Sequence, residues 1–85
     1  MKYTLVNNGT KDAMRLQGIG LVLGSPAGSL KRDDKLMWNF GSIYTVDEII
    51  KETSKTITIR TSPIRDTKLS YEQTMNKSRL VCKLV

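Results

Sequence analysis

Few side chains in this 85-residue sequence can do chemistry, and their types exclude most catalytic arrangements. There is no histidine and one cysteine, Cys82. Without imidazole there is no histidine-based triad and no histidine general base. With a single thiol the chain also lacks the ligand set of nearly every zinc or transition-metal site. Cys82 has Lys83 beside it but no histidine to activate it, so it reads as a packed core residue rather than a nucleophile. Asp47 and Glu48 are adjacent, and on a strand adjacent side chains leave opposite faces, which rules out a carboxylate pair. Asp33 and Asp34 would hold a hard cation only with further oxygen ligands, which the sequence does not supply. Glycines at positions 18, 20, 24 and 28 suggest a phosphate cradle, but no Gly-Lys-Ser/Thr opens a helix after a strand. No catalytic residue, metal or cofactor is expected, and the chain reads as a non-enzyme.

Binding chemistry is better represented. Trp38-Asn39-Phe40-Gly41 sets two aromatics beside a turn, where they can stack on bases or form a pocket for a partner's side chain. The same residues also fit a structural role, with Trp38 as the main core residue, Asn39 and Gly41 shaping the turn, and Phe40 packing over the end of the fold. Charge is the second signal. Fourteen Lys and Arg against eight Asp and Glu leave a net +6, which favours nucleic acid or an acidic protein surface as partner. Strand alternation turns Arg60 away from Ile57 and Ile59, and Lys68 away from Leu69 and Tyr71. On adjacent strands the two cations would share an outer face able to track phosphates. A solvated face of mixed charge fits them too, since Asp66 and Glu72 lie nearby. The candidate binding residues are therefore Trp38, Asn39, Phe40, Arg60 and Lys68.

The elements that would position them centre on residues 30–62. A charged tight turn leads into a short apolar strand at 36–38, which reverses at 39–41 into an alternating strand reaching about residue 51. A polar turn at 52–55 then precedes a β-branched strand at 56–61. Residues 45–52 are ambiguous: Thr45 and Glu48 fit a capping box, and Val46, Ile49 and Ile50 share a helical face. Strand is preferred because residues 43–46 are β-rich and the strand at 56–61 needs a partner. Its expected pairing sets Tyr44 and Val46 against Ile57 and Ile59.

Around this centre, residues 2–6 read as an edge-type strand and 7–11 as a turn. Residues 13–23 read as one longer strand with a bulge at Gly18-Ile19-Gly20. Residues 24–29 and 62–67 are loops by composition. A strand is expected at 68–73, a connector with a helical turn at 74–78, and a closing strand at 80–85. That last strand would carry Leu80, Cys82 and Leu84 on one side and Val81, Lys83 and Val85 on the other. Short strands with turn signals between them imply a single all-β domain, a small barrel of five to seven antiparallel strands. No segment reaches the about 18 apolar residues of a membrane span. The amino-terminal residues lack the pattern of a signal peptide, and the lone cysteine favours a reducing interior such as the cytoplasm.

From residue 29 onward, the order of polar turn, core strand, hairpins, helical turn and last strand resembles small barrels of the KOW, Tudor and Src-homology type. More narrowly, LKRDDKLMWNFGSIYTV, the Ile57-Thr58-Ile59 strand and the closing SRLVCKLV resemble small proteins of bacteriophages and mobile elements. Asp33-Asp34 stands where Gly-Asp is usual in that pattern, and Asp at a positive-φ position costs more than Gly. The resemblance implies an SH3-like barrel with a short helical turn before the last strand and a phage origin, hence a bacterial host cytoplasm, but no activity. Three kinds of function then fit: nucleic-acid binding through the basic face, capping and inhibition of a host protein, or a virion or oligomer component joined through an edge such as 80–85.

Overall fold

A long central hairpin sets the architecture. In the computed structural model, which describes residues 2–85, strands β5 (Ile43–Glu52) and β6 (Thr56–Pro63) pair antiparallel. Residues 45–52 are thus strand, as the β-rich run before them suggests. The turn is tied by Thr53, whose hydroxyl accepts the Thr56 N–H at 3.0 Å. Two register shifts, between Val46 and Glu48 and between Ile49 and Lys51, make Val46 face Thr61 and Ile49 face Ile59. The expected contact of Tyr44 and Val46 with Ile57 and Ile59 is displaced because the hairpin closes at Glu52 and Ile57, which sets Tyr44 against Pro63. The two bulges, each adding a residue to β5 alone, reduce that offset without removing it.

Around the hairpin lie β1 (Ala13–Leu16), β2 (Gly20–Leu23), β3 (Ser25–Pro26), β4 (Lys35–Met37), β7 (Tyr71–Asn76) and β8 (Leu80–Leu84). They form a two-stranded sheet, β1-β2, and a six-stranded sheet in the order β3-β8-β4-β5-β6-β7. Among the described residues the fold is all-β, as expected, with eight strands and no closed barrel. The six-stranded sheet is nevertheless strongly curled, as a length argument shows. On a flat sheet β7 and β8 would lie about 19 Å apart at the usual strand spacing, whereas the link 77–79 reaches only about 14 Å. No helical turn precedes β8; the link is a tight turn in which the Arg79 N–H donates to the Asn76 carbonyl at 3.0 Å. The 3-10 turns fall instead at Ala27–Ser29 and Asn39–Gly41.

Side-chain alternation divides the core in two. On the concave face Leu30, Leu36, Val46, Ile57, Ile59, Met75 and Val81 are buried with Ala27. On the other face of β4 and β8, Met37, Cys82 and Leu84 pack against Leu16 and Val22 of the β1-β2 hairpin. The expected split of residues 80–85 between two faces is observed for Val81 against Cys82 and Leu84. Residues 13–23 are a hairpin and not one bulged strand. Leu16 pairs with Gly20 across a three-residue turn, and Gly18 (φ +78) and Gly20 (φ +118) supply the left-handed backbone that reversal requires. Residues 2–6 form an isolated bridge, Leu5 to Val22. The strand at 80–85 is no edge, since β8 lies between β3 and β4. No helix among the described residues is long and apolar enough to cross a membrane.

The turn before β4 carries the strain anticipated at Asp33, which holds φ +76. It is locked to β5 by the Asp33 N–H to the Val46 carbonyl and the Val46 N–H to the Asp34 carbonyl, both at 2.8 Å. The Asp34 carboxylate accepts the Lys31 N–H at 2.8 Å, leaving Asp33 exposed. A left-handed L-residue costs about 1–2 kcal/mol, less for Asp than for most. Asp33→Gly should therefore stabilise the protein by about 1 kcal/mol, read as a melting temperature raised by about 4–8 °C. A lowered melting temperature would show that the Asp33 side chain holds the turn.

Candidate binding site

The turn after β4 is clamped from the neighbouring hairpin. Asn39 Oδ1 accepts the Gln17 N–H at 2.9 Å, and the Phe40 N–H donates to the Gln17 carbonyl at 2.7 Å. Asn39 is thus a positioning residue whose amide joins the two turns. Gln17 was not legible as its partner, because nothing in local sequence links residues 22 positions apart. The clamp holds Phe40 in the left-handed region at φ +63 and leaves it 73% exposed. The ring lies against Gly18, where a Cβ would come within 2.8 Å of Phe40 Cδ1. Phe40 is therefore not a buried cover over the end of the fold. A bulky residue held in left-handed backbone and shown to solvent is strained without any return in burial.

Trp38 is half-buried and packs on the concave core. The Arg79 guanidinium sits 5.8 Å from its ring centroid, a cation–π distance. Farther along the concave face Tyr44 and Tyr71 meet edge to face, with centroids 6.1 Å apart and an angle of 67°. With Asn39, Ser42, Thr61 and Gln73 these three aromatics line an open pocket of about 350 Å³. Ser42 and Tyr44 continue into a hollow bounded by Pro63, Arg65 and Leu69, and Ser42 also borders one lined by Phe40 and Ile64. Four exposed apolar side chains, Phe40, Ile64, Leu69 and Tyr71, therefore gather at this one end. An apolar surface concentrated like this marks a contact site more often than scattered exposure does.

The cationic face expected from Arg60 and Lys68 is not assembled. Arg60 is ion-paired with Glu48 of β5 and stands opposite Glu72 of β7, so carboxylates flank it on both sides. Lys68 precedes β7 rather than lying on it. Asp66 folds residues 63–69 into turns, its N–H donating to the Pro63 carbonyl at 3.2 Å and its Oδ1 accepting the Lys68 N–H at 3.1 Å. The strand then begins only at Tyr71, not at residue 68. Lys77 and Lys83 are paired as well, with Glu52 and Asp34. Arg65, Lys68 and Arg79 make no ion pair among the described residues, and Arg65 and Arg79 border the aromatic end.

Tyr44, Tyr71 and Arg79 were not singled out in sequence. The usable signal was parity, since Tyr44 shares its side of β5 with the buried Val46. Cys82 is 1% exposed, and burial pushes its thiol above the usual range, which keeps it protonated and inert at neutral pH.

The two aromatics of the turn should respond oppositely to removal. Trp38→Ala takes a ring from the core and should cost about 3 kcal/mol. Phe40→Gly relieves left-handed strain at an exposed position, so its melting temperature should match or exceed that of the parent. Thermal denaturation of both variants checks this, and equal losses would mean that the Phe40 ring secures the turn through Gly18.

No family model, curated protein or solved structure matches the chain.

Proposed function

We propose that this protein is a non-enzymatic binding module that presents its aromatic end to an acidic segment of another protein. The observation that carries this reading is the gathering of Phe40, Ile64, Leu69 and Tyr71 around the Trp38 and Tyr44 pocket. Trp, Tyr and Arg side chains in a partly desolvated hollow are the usual anchors of protein interfaces. Arg65, Lys68 and Arg79 make no ion pair among the described residues, whereas Asp47 is engaged by Ser62 and Glu72 stands opposite Arg60. The free cations favour acidic partners and speed their encounter. A phage-encoded protein that caps a host protein in the bacterial cytoplasm would need a surface of this kind.

A second reading, single-stranded nucleic acid, is favoured by one specific observation. Arg79 stacked on Trp38, beside two tyrosines, offers a base platform with a cation at its rim.

Capture from host lysate, with and without nuclease, separates the two when wild type is run beside Leu69→Ser and Tyr71→Ser. Both substitutions fall on exposed side chains, so the fold should survive. A partner retained after nuclease treatment and lost in both variants supports the protein reading. A partner kept equally by all three proteins overturns the assignment of this surface. For nucleic acid, affinity should fall with salt at a log–log slope of about −0.7 per phosphate on single strands. Lys68→Glu and Arg79→Glu should flatten that slope, whereas Arg60→Glu should change it little because Glu48 and Glu72 already flank the guanidinium.

A further inference from the structure

The two edges of the six-stranded sheet are unlike. At one end β3 is two residues long and contains Pro26, the kind of blunting that discourages strand pairing. At the other, β7 runs for six residues, Tyr71-Glu-Gln-Thr-Met-Asn76, without proline, lysine or a break in register. The phase of its ladder shows which backbone groups are free. The Lys77 N–H donates to the Lys55 carbonyl at 2.8 Å, so Tyr71, Gln73 and Met75 exchange bonds with β6, and residues 72, 74 and 76 turn theirs outward. The hydroxyls of Thr58 and Thr74, 2.8 Å apart, agree, because side chains approach most closely at non-hydrogen-bonded pairs. Asn76 gives its carbonyl to Arg79. The N–H and C=O of Glu72 and Thr74 and the N–H of Asn76 have no partner among the described residues.

This open edge runs beside the aromatic pocket. Tyr71 and Gln73 belong to β7 and line that pocket, so a strand laid along the edge would point alternate side chains toward it. We propose that β7 takes up a short extended acidic segment of a partner protein as an additional strand, with its inward side chains docking toward Trp38 and Tyr44. The proposal rests on the protein-binding reading above and adds the mode of recognition. Main-chain bonds would supply affinity, and the pocket would supply selectivity. Charge decides the occupant: a second copy of this chain would bring +6 against +6 and a second Glu72. An extended segment with acidic residues at its ends instead meets Arg65 and Lys68 beside Tyr71 and keeps its carboxylates away from Glu72. The link at 77–79 and the Ala27–Ser29 turn, joined by the Gly28 N–H to the Lys77 carbonyl at 3.0 Å, close the far end of the edge. The segment would therefore enter from the Tyr71 side.

The test uses the whole protein, labelled with nitrogen-15, and a synthetic acetylated heptapeptide alternating threonine with valine or phenylalanine and flanked at both ends by glutamate, so that no carboxylate lies opposite Glu72. At saturation the amides of Glu72, Thr74 and Asn76 should exchange with solvent about tenfold more slowly. The same peptide N-methylated at alternate positions keeps its side chains, loses edge donors and should bind about tenfold more weakly. Thr74→Pro removes one outward donor without breaking a main-chain bond to β6, losing only the hydroxyl contact with Thr58, and should weaken the unmodified peptide similarly. Thr74→Val, which loses that contact but keeps the donor, should bind like the parent. Unchanged Trp38 emission would show that both variants are folded. Perturbed pocket signals without amide protection would overturn strand addition and leave the aromatic-end reading standing. No binding of the peptide would overturn the acidic extended occupant, and the lysate capture would still decide the aromatic end separately. Protection that grows with protein concentration in the absence of peptide would overturn it in favour of a second copy.

Discussion

The fold depends on two strands being covered on both faces. Leu36 and Met37 are neighbours in β4, and Val81 and Cys82 are neighbours in β8, yet each pair divides between the concave core and the core under the β1-β2 hairpin. In so short a chain neither face alone would remove much apolar surface from water. Stacking a hairpin on one side of β4 and β8 and a curled sheet on the other uses the same two strands twice. Their direct pairing, Met37 with Cys82 and Leu36 with Lys83, holds the two cores in fixed relation. It also fixes the distance between the β1-β2 turn and the turn carrying Phe40.

The parts of this arrangement legible in sequence are those governed by local alternation. The strand reaching about residue 51, the strand at 56–61 and the two-sided pattern of 80–85 follow from period-two spacing, although β6 runs on through Ser62 and Pro63, which read as loop. The positive φ at Asp33 follows from its place in a tight turn. What alternation could not disclose is how many residues a turn consumes. Gly18-Ile19-Gly20 interrupts the pattern equally as a bulge or as a reversal, and only the pairing of Leu16 with Gly20 decides between them. The Asp66 turns likewise delay β7 to Tyr71, which removes Lys68 from the strand and, with it, the common face drawn with Arg60.

The site shows the same division. Trp38, Asn39 and Phe40 were visible because they adjoin in the chain and flank a turn. Tyr44, Tyr71 and Arg79 come from three other segments and meet because β6 lies between the two tyrosine strands and β8 starts beside Trp38, the residue after β4. Charge was the less informative signal. A net +6 says nothing of which cations have partners, and Arg60 is held by Glu48 and flanked by Glu72. The cations left without ion pairs at the aromatic end are set by topology and not by composition.

The central place of β8 has a consequence for synthesis on the ribosome. Strands β4 to β7 emerge before β8, and until it arrives β4 lacks its second neighbour and both cores lack Val81, Cys82 and Leu84. A meander of four strands with one face half-covered exposes apolar edge to every other nascent chain nearby. Completion waits on pairings between segments far apart in sequence, the slow kind of contact to form. A growing chain of this protein therefore offers its unpaired β4 edge and half-formed cores to a holding chaperone until β8 is in place.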